Sequence, residues 1–208
     1  MAAKIDISTL VHEVREIHER FPTWTLDNAF IHWFLYAFLV PDLEIAARSV
    51  TGVAHDKGCD GIYIDDNAGK VFILQGKLHR SAKPPQEPRT EIISFSTLAR
   101  TLTGPSAEFN TYISRIDPAV GAMLKHCRQR LLSRHFELQL YYVTTGRCSA
   151  PLKTEAESVV SQSNGLNSLS VLDRSDVLSL LTDERWLRLS EQPSPLDKWI
   201  PAGVQSSV

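Results

Sequence analysis

Cysteine is scarce in this 208-residue sequence: there are three, and no two form a Cys-X-X-Cys pair. An odd number of widely spaced cysteines argues against a disulfide framework and against a thiolate zinc site. Long apolar runs are also absent, since the most apolar stretch, residues 29–40, is too short to span a bilayer and contains His32. No apolar leader follows Met1. We therefore expect a cytoplasmic protein with no membrane partner.

The sequence carries no strong excess of either charge. Its formal net charge is −2, and its isoelectric point is about 6.4. This balance argues against a uniformly basic nucleic-acid-binding surface, so a nucleic-acid enzyme would need a local basic patch. With 43% apolar residues, the chain can bury the core of one well-packed domain. Internal repeats are absent, as are the motifs of dinucleotide-binding, P-loop and serine-hydrolase folds.

Apolar spacing and turn residues predict alternating helices and strands. Residues 5–21 have helical periodicity, and a second helix begins near Asp27, whose side chain can cap it. For residues 43–50, a short strand is favoured over an extension of that helix. Further along, the pattern predicts strands at 136–144 and 169–172, and helices at 90–102, within 108–133, at 153–161 and at 175–181. The order indicates an α/β fold with a mixed central sheet flanked by helices. We expect one domain at residues 26–189, preceded by an N-terminal helical extension at 1–25 and followed by a tail or linker at 190–208.

The clearest local pattern is a β-hairpin. Residues 61–65 and 70–75 are rich in β-forming side chains. Between them, residues 66–69 (Asp-Asn-Ala-Gly) have tight-turn chemistry, with a glycine available for positive φ. The pattern therefore predicts two antiparallel strands joined by a short turn.

Three chemically active side chains lie at the open end of this hairpin. With the turn centred near Asn67, Asp60 and Gln75 are cross-strand neighbours. Gln75 and Lys77 are two residues apart, so they point to the same face. A carboxylate, an amide oxygen and an ammonium group are thus predicted to converge.

This set suits metal-dependent hydrolysis of a phosphodiester. Mg²⁺ or Mn²⁺ prefers oxygen ligands, often few of them from the protein. Asp60 would ligate the metal directly, Gln75 would add its side-chain oxygen, and Asp56 in the preceding loop is a further candidate ligand. Lys77 would orient the attacking water or stabilise the charge that develops on the phosphate.

The pattern Asp60 … Gln75-Gly76-Lys77 resembles the D…(D/E)XK signature of PD-(D/E)XK nucleases, in the Q-X-K form of Mrr-like restriction endonucleases. The stretch from His55 to Lys77 (HDKGCDGIYIDDNAGKVFILQGK) is similar to the N-terminal domain of AIPR-type abortive phage infection proteins. The likeness extends over about residues 27–181.

The resemblance implies a restriction-endonuclease-like core and a nuclease that cuts DNA or RNA in anti-phage defence, with DNA favoured over RNA as the substrate. It also implies a possible homodimer. Because members of the family are usually much longer, it implies an N-terminal domain or a short relative.

The sequence departs from the family pattern in two places. The helix before the first strand usually supplies an acid, but Phe30 is followed here by Ile31; Asp27, His32, Glu44 and Glu16 are the alternatives. Gln75 is neutral where most such nucleases have Asp or Glu. These departures keep open a catalytically inactive nucleic-acid-binding or protein-interaction module on the same fold.

A basic stretch is the best candidate for phosphate contacts. Lys125, Arg128 and Arg130 lie near the end of a predicted helix. Cations are also favoured at that position by the helix dipole alone, which is the competing interpretation. His55 and His79 flank the predicted site, and surface positions are the simpler explanation for both.

Overall fold

The computed structural model describes residues 6–40, 42–52, 58–133, 136–163 and 166–182. Within these residues the helices are α1 (Ile7–Arg20), α2 (Leu26–Phe34), α3 (Leu43–Ser49), α4 (Arg89–Ser96), α5 (Leu98–Thr103), α6 (Ser106–Ile113), α7 (Pro118–Leu132), α8 (Ala150–Ser161) and α9 (Arg174–Thr182). A single π-helical turn, Leu35–Leu39, continues α2. The strands are β1 (Gly61–Asp65), β2 (Lys70–Lys77), β3 (Glu137–Thr144) and β4 (Ser168–Leu172). In this part of the chain, no helix is both long and apolar enough to cross a membrane.

The four strands form one sheet in the order β1-β2-β3-β4. β1 pairs with β2 in antiparallel fashion, whereas β2 and β3, and β3 and β4, run parallel. A parallel pair needs a crossover connection, and the helices between β2 and β3 and between β3 and β4 supply it. The prediction of an α/β fold with a mixed central sheet flanked by helices is confirmed.

The hairpin forms where the sequence predicts it. The carboxylate of Asp65 accepts hydrogen bonds from the backbone N–H groups of Asn67 (3.0 Å) and Ala68 (2.9 Å), which closes the turn. Gly69 ends the turn with φ +64°, a conformation that costs glycine nothing. Gly61 pairs with Leu74 and Asp65 with Lys70, so this turn sets the register of the whole hairpin.

Alternate side chains of β2 enter two different cores. Val71 and Ile73 are buried with side chains of α4, α5, α7 and α8. Phe72 and Leu74 are buried on the other face, with side chains of α1 and α2. Because Leu10 of α1 belongs to that second core, α1 packs with the helices that cover the sheet. The two-residue period of β2 therefore decides which face each of its polar residues reaches.

The prediction of a strand at residues 43–50 is wrong. Residues 43–49 form α3, because Asp42 caps its start by accepting from the N–H of Ile45 (2.9 Å), and Ala46 and Ala47 are strong helix formers. Val50 alone makes a β-bridge, to Gly61.

Other element boundaries also differ from the predicted ones. Thr25, and not Asp27, caps α2 by accepting from the N–H of Asn28 (3.1 Å). The helix predicted at residues 90–102 divides into α4 and α5 at Thr97, and α6 and α7 occupy the region predicted as a single helix within 108–133. The predicted tail at 190–208 lies outside the described residues.

Candidate functional site

A row of polar side chains crosses the sheet near the carboxyl end of β2. The register of β1 on β2 begins with Gly61 opposite Leu74, and the next residue of β2, Gln75, is in turn beside Tyr142 of β3. The backbone N–H of Asp60 donates to the carbonyl of Leu74 (2.8 Å), so Asp60 is bonded to β2 at the residue before Gln75. Because the N–H of Gly76 donates to the Asp60 carboxylate (2.8 Å), Asp60 is bonded to the residues on both sides of Gln75 and lies beside it.

Lys77 lies one step further along the same face. It is in register with Thr144 of β3, two residues beyond the pair formed by Gln75 and Tyr142. Because side chains alternate along a strand, Gln75 and Lys77 point to the side of the sheet that is covered by α4. Gln75 and Lys77 thus share one face of β2, and Asp60 lies beside that strand.

Asp60 is held by the strand opposite it. Its Oδ2 accepts a hydrogen bond from the backbone N–H of Gly76 (2.8 Å), and the side chain is half-buried. Gly76 packs so closely under α2 that an added Cβ would lie 2.5 Å from Cγ1 of Ile31. A side chain at position 76 would push α2 away from the sheet. Glycine between Gln75 and Lys77 is therefore a packing requirement of the site.

Gln75 lies against the loop that precedes Asp60. Gly58 has φ +82°, and a Cβ added there would lie 2.7 Å from Cδ of Gln75. The amide of Gln75 is half-buried and makes no hydrogen bond to any residue that the structure describes. The amide therefore keeps its hydrogen-bonding groups available to a ligand.

Lys77 is paired with an acid that the sequence analysis did not single out. Its Nζ lies 2.6 Å from Oε2 of Glu91, in the first turn of α4. Partial burial opposes the charge on Lys77, but the hydrogen bond and charge of Glu91, with Glu87 and Asp27 behind them, outweigh it and raise the pKa of Lys77. The side chain is therefore cationic at neutral pH.

Glu87 forms a second, buried part of the site. It is only 4% exposed and accepts hydrogen bonds from the Thr144 hydroxyl (2.6 Å) and the Tyr142 hydroxyl (3.1 Å). His79 Nε2 lies 2.7 Å from the same carboxylate. Burial, followed by the charges of Glu87 and Glu91, raises the pKa of Tyr142 far above its ordinary range, so the phenol stays protonated and donates.

Glu87 was missed because residues 81–88 have the composition of a proline-rich loop, and Glu91 because it stands in the first turn of a predicted helix, where an acid is expected for the helix dipole alone. One signal was available: Glu87 and Glu91 are four residues apart across a predicted helix start, a spacing that places side chains on one face once the helix forms. What the spacing could not show is that this helix lies across the carboxyl ends of β2 and β3.

Of the four residues considered as the helix-borne acid, Asp27 alone reaches the end of β2. Its Oδ1 accepts from the N–H of Leu78 (2.7 Å), and its charge acts on Lys77. The other three lie elsewhere: His32 is near the carbonyl of Leu43, Glu44 lines a groove beside α3, and Glu16 pairs with His12. Asp27 thus borders the site through a backbone contact.

Asp60 and Gln75 are the groups here that could hold a metal ion. Among the described residues, no cluster of three or more His, Cys, Asp or Glu side chains could hold one. Asp56 and His55 fall outside the described residues, so the predicted third ligand has no position here. One carboxylate and one adjacent amide oxygen fit a hard cation that keeps most of its ligands as water or substrate phosphate, and such a site binds weakly.

The predicted phosphate-contacting residues do not join this site. Arg130 forms an ion pair with Asp66 at the hairpin turn (Nε to Oδ1, 2.8 Å), beyond the opposite end of β2, a strand that spans roughly 23 Å. Lys125 is exposed on α7. A bound nucleic acid would have to extend along the sheet to reach both regions.

Arg128 has a structural position. It is only 9% exposed and donates from Nη2 to the carbonyl of Gly104 (2.8 Å) and from Nη1 to that of Leu102, which caps the end of α5. Its guanidinium also lies over the ring of Phe109, 4.9 Å from the centroid. Its burial argues against the predicted contact with phosphate, since its donors are already used inside the protein.

The loop after Lys77 is fixed by Arg174 at the start of α9. The guanidinium donates to the carbonyls of Thr145 (2.7 Å), Ser81 (2.8 Å) and Ala82 (3.1 Å). This loop keeps His79 at the rim of the site, where its side chain is 32% exposed and its Nε2 faces Glu87. The sequence analysis favoured a surface position for His79. Among the described residues, it is the histidine that contacts Glu87.

No protein-family model, curated protein or solved structure matches this chain. The functional assignment therefore depends on the geometry of the chain's own residues.

Proposed function

We propose that this chain is a metal-dependent nuclease domain that hydrolyses phosphodiester bonds, with a restriction-endonuclease-like core. The proposal is supported by two observations: Asp60 is bonded to Leu74 and Gly76 on either side of Gln75, and Lys77 lies on the same face of β2 as Gln75. This is the arrangement that the D…QXK pattern requires. The setting in anti-phage defence, the preference for DNA over RNA and the homodimer come with the resemblance to AIPR-type proteins.

Asp60 and Gln75 would hold Mg²⁺ or Mn²⁺. When bound, such an ion polarises the phosphate and lowers the pKa of a coordinated water. The hydrogen bond from the Gly76 N–H orients the Asp60 carboxylate, and the contact with Gly58 limits the positions open to the Gln75 amide. The chain thus fixes both oxygen donors through its backbone.

Lys77 would act as a cation and a hydrogen-bond donor. Its raised pKa excludes a role as general base near neutral pH. Glu91 holds the ammonium in place through the 2.6 Å contact, and substrate binding would bring a phosphate oxygen to compete for it. Charge stabilisation of this kind is worth on the order of a hundredfold or more in rate.

A second function has its own supporting observation. The positive charge of Lys77 is already neutralised by Glu91, and among the described residues no cluster of three His, Cys, Asp or Glu side chains could hold a metal. A domain that binds nucleic acid or protein without cleaving would have these properties. Metal dependence separates the two functions.

The deciding experiment is cleavage of single- and double-stranded DNA and RNA in Mg²⁺ or Mn²⁺. Asp60→Asn keeps an oxygen for the Gly76 N–H while removing the charge, and Lys77→Met keeps the apolar stem. Lys70→Met, at the other end of β2, is the matched control. We expect metal-dependent cleavage that falls by about a hundredfold or more in the two site variants and persists in the control.

Two results would contradict the proposal. If the wild-type protein cleaves none of the substrates but binds them in a salt-sensitive way, the binding module is correct. If cleavage continues in Asp60→Asn and Lys77→Met, the residue assignment is wrong.

A further inference from the structure

Three exposed cations lie on the loops next to Lys77. Arg80 and Lys83 are exposed on the loop that follows β2, and Arg147 is exposed on the loop that follows β3. None of their side chains forms an ion pair or a hydrogen bond with any residue that the structure describes. They differ in this from Lys77 and Arg130, each of which is paired with an acid.

Backbone hydrogen bonds join the two loops. The N–H of Glu87 donates to the carbonyl of Arg147 (2.9 Å), and the N–H of Arg147 donates to the carbonyl of Pro85 (2.8 Å). Arg147 therefore lies beside Gln86, with which it forms a β-bridge. Cations at positions 80 and 83, and a third at position 147 beside position 86, follow one another at three-residue steps over at most about 20 Å. We call these three residues the basic strip.

The loops that carry the basic strip are fixed within the fold. The guanidinium of Arg174 accounts for two carbonyls of the first loop, those of Ser81 (2.8 Å) and Ala82 (3.1 Å). The N–H of Thr145 donates to the carbonyl of Lys77 (3.0 Å), so the strip begins where the proposed site ends. Because these loops are ordered in advance, a partner that binds to them loses little affinity to loop ordering.

Acids of the same loops do not cancel this charge. Glu87 is the acid of residues 78–88, and residues 145–149 contain none. Glu87 is buried, with its carboxylate already bonded to the hydroxyls of Thr144 and Tyr142. Glu91, in the helix that follows the first loop, pairs with Lys77. The charges of the basic strip therefore remain available to an anion from outside the chain.

We propose that the basic strip binds the phosphate backbone of a nucleic acid beside the proposed catalytic residues. Binding to a polyanion releases the counterions of both partners, and a duplex presents one phosphate per 3.4 Å on each strand, so the strip can contact several. The strip adjoins Lys77, whereas Arg130 lies at the opposite end of β2 and Arg128 is buried. The identity of the partner rests on the proposed function, but binding is measured without cleavage.

The experiment is fluorescence anisotropy with labelled single- and double-stranded DNA and RNA, in EDTA so that no metal-dependent cleavage occurs. The test variant combines Arg80→Gln, Lys83→Gln and Arg147→Gln. In about 0.1 M NaCl we expect it to bind at least tenfold more weakly than the wild type. The slope of log affinity against log salt concentration should fall by about two to three. The nucleic acid with the largest loss identifies the class of partner.

A matched triple variant controls for net charge. Arg15→Gln, Arg115→Gln and Lys125→Gln replace exposed cations of other surfaces and remove the same three charges from a chain of net charge −2. We expect this variant to keep nearly the affinity and salt slope of the wild type. A third variant, Arg80→Lys with Arg147→Lys, keeps the charge of the strip and should keep the salt slope as well. Equal melting temperatures show that all three variants fold.

Equal weakening in the two triple variants would overturn the proposal, because net charge and not the basic strip would then decide binding. Failure of the wild type to bind any of the four nucleic acids at low salt would also overturn it. Binding of poly-L-glutamate but of no nucleic acid would assign the strip to an acidic protein instead. Strip-dependent binding without cleavage in Mg²⁺ or Mn²⁺ would support this inference and contradict the nuclease function alone.

Discussion

Nζ of Lys77 lies 2.6 Å from Oε2 of Glu91, so the lysine of the QXK pattern is held by an acid from the first turn of α4. Glu87, one helical turn earlier in the sequence, adds to the negative charge around it. The site therefore consists of a hairpin that supplies the D…QXK residues and a helix start that positions the lysine.

The first prediction concerns this ion pair. Glu91→Gln keeps the side-chain length but removes the charge that fixes Lys77, so we expect kcat to fall about tenfold with little change in KM. Steady-state cleavage kinetics measures both. Glu108→Gln, at an exposed position of α6, is the control. A rise in kcat would show instead that Glu91 withholds Lys77 from the substrate.

The second prediction uses two glycines with similar backbones. Gly58 (φ +82°) and Gly52 (φ +61°) both have a left-handed conformation, so alanine at either costs about 1–2 kcal/mol of stability. A Cβ at position 58 would also lie 2.7 Å from Cδ of Gln75, whereas at position 52 the nearest atom, on Asn28, is 3.4 Å away.

Gly58→Ala should therefore lose metal binding in addition to stability, and Gly52→Ala should lose stability alone. The increase in melting temperature on addition of Mn²⁺ measures metal binding in each. If both variants respond to Mn²⁺ like the wild type, Gln75 is not part of the metal site.

The third prediction concerns Glu87. Its buried carboxylate accepts from Thr144, Tyr142 and His79, and in Glu87→Gln an amide N–H group would face one of these donors. Leaving buried donors unpaired should lower the free energy of unfolding by roughly 2–4 kcal/mol. Chemical denaturation measures this, with Glu157→Gln on the exposed face of α8 as control. A loss equal to the control's would mean that the cluster contributes little to stability.

The hairpin and its register could be predicted because every determinant is local: a turn with Asp65 and Gly69, and strand-forming residues on both sides. The shared face of Gln75 and Lys77 follows from the two-residue period of β2 by counting. Glu91 could not be placed in the same way, since its approach to Lys77 depends on how α4 packs across the sheet.

Two further side chains show the same limit. Arg128 looks like a surface cation in the sequence, but its guanidinium caps α5, a helix 24 to 26 residues away in the sequence. Asp27 looks like a helix cap, but Thr25 takes that role and Asp27 bonds Leu78, 51 residues downstream. In both, a polar side chain serves a distant backbone group that sequence spacing does not reveal.

The last prediction concerns acid stability. Burial acts to raise the pKa of Asp173, but hydrogen bonds from Ser175 and the Cys148 N–H, with the charge of Lys153, outweigh it and lower the pKa to about 2. A carboxyl group whose pKa is depressed on folding stabilises the protein above its unfolded value near 3.8, and this contribution disappears as the pH falls towards 2. After an allowance for solvent screening, the effect is roughly 1–2 kcal/mol.

His32 titrates in a different window and serves as an internal reference. Its pKa is lowered from 6.5 to about 4, so its neutral buried form stabilises the protein above pH 6.5 and that contribution is lost between pH 6.5 and 4. Asp173→Asn should therefore flatten the free energy of unfolding between pH 4 and 2 while leaving the slope between 6.5 and 4 unchanged. Urea denaturation at a series of pH values measures the free energy of unfolding in both pH ranges. If the variant shows the same pH dependence as the wild type between pH 4 and 2, the contacts of Asp173 are as favourable to its protonated carboxyl group as to the charged one.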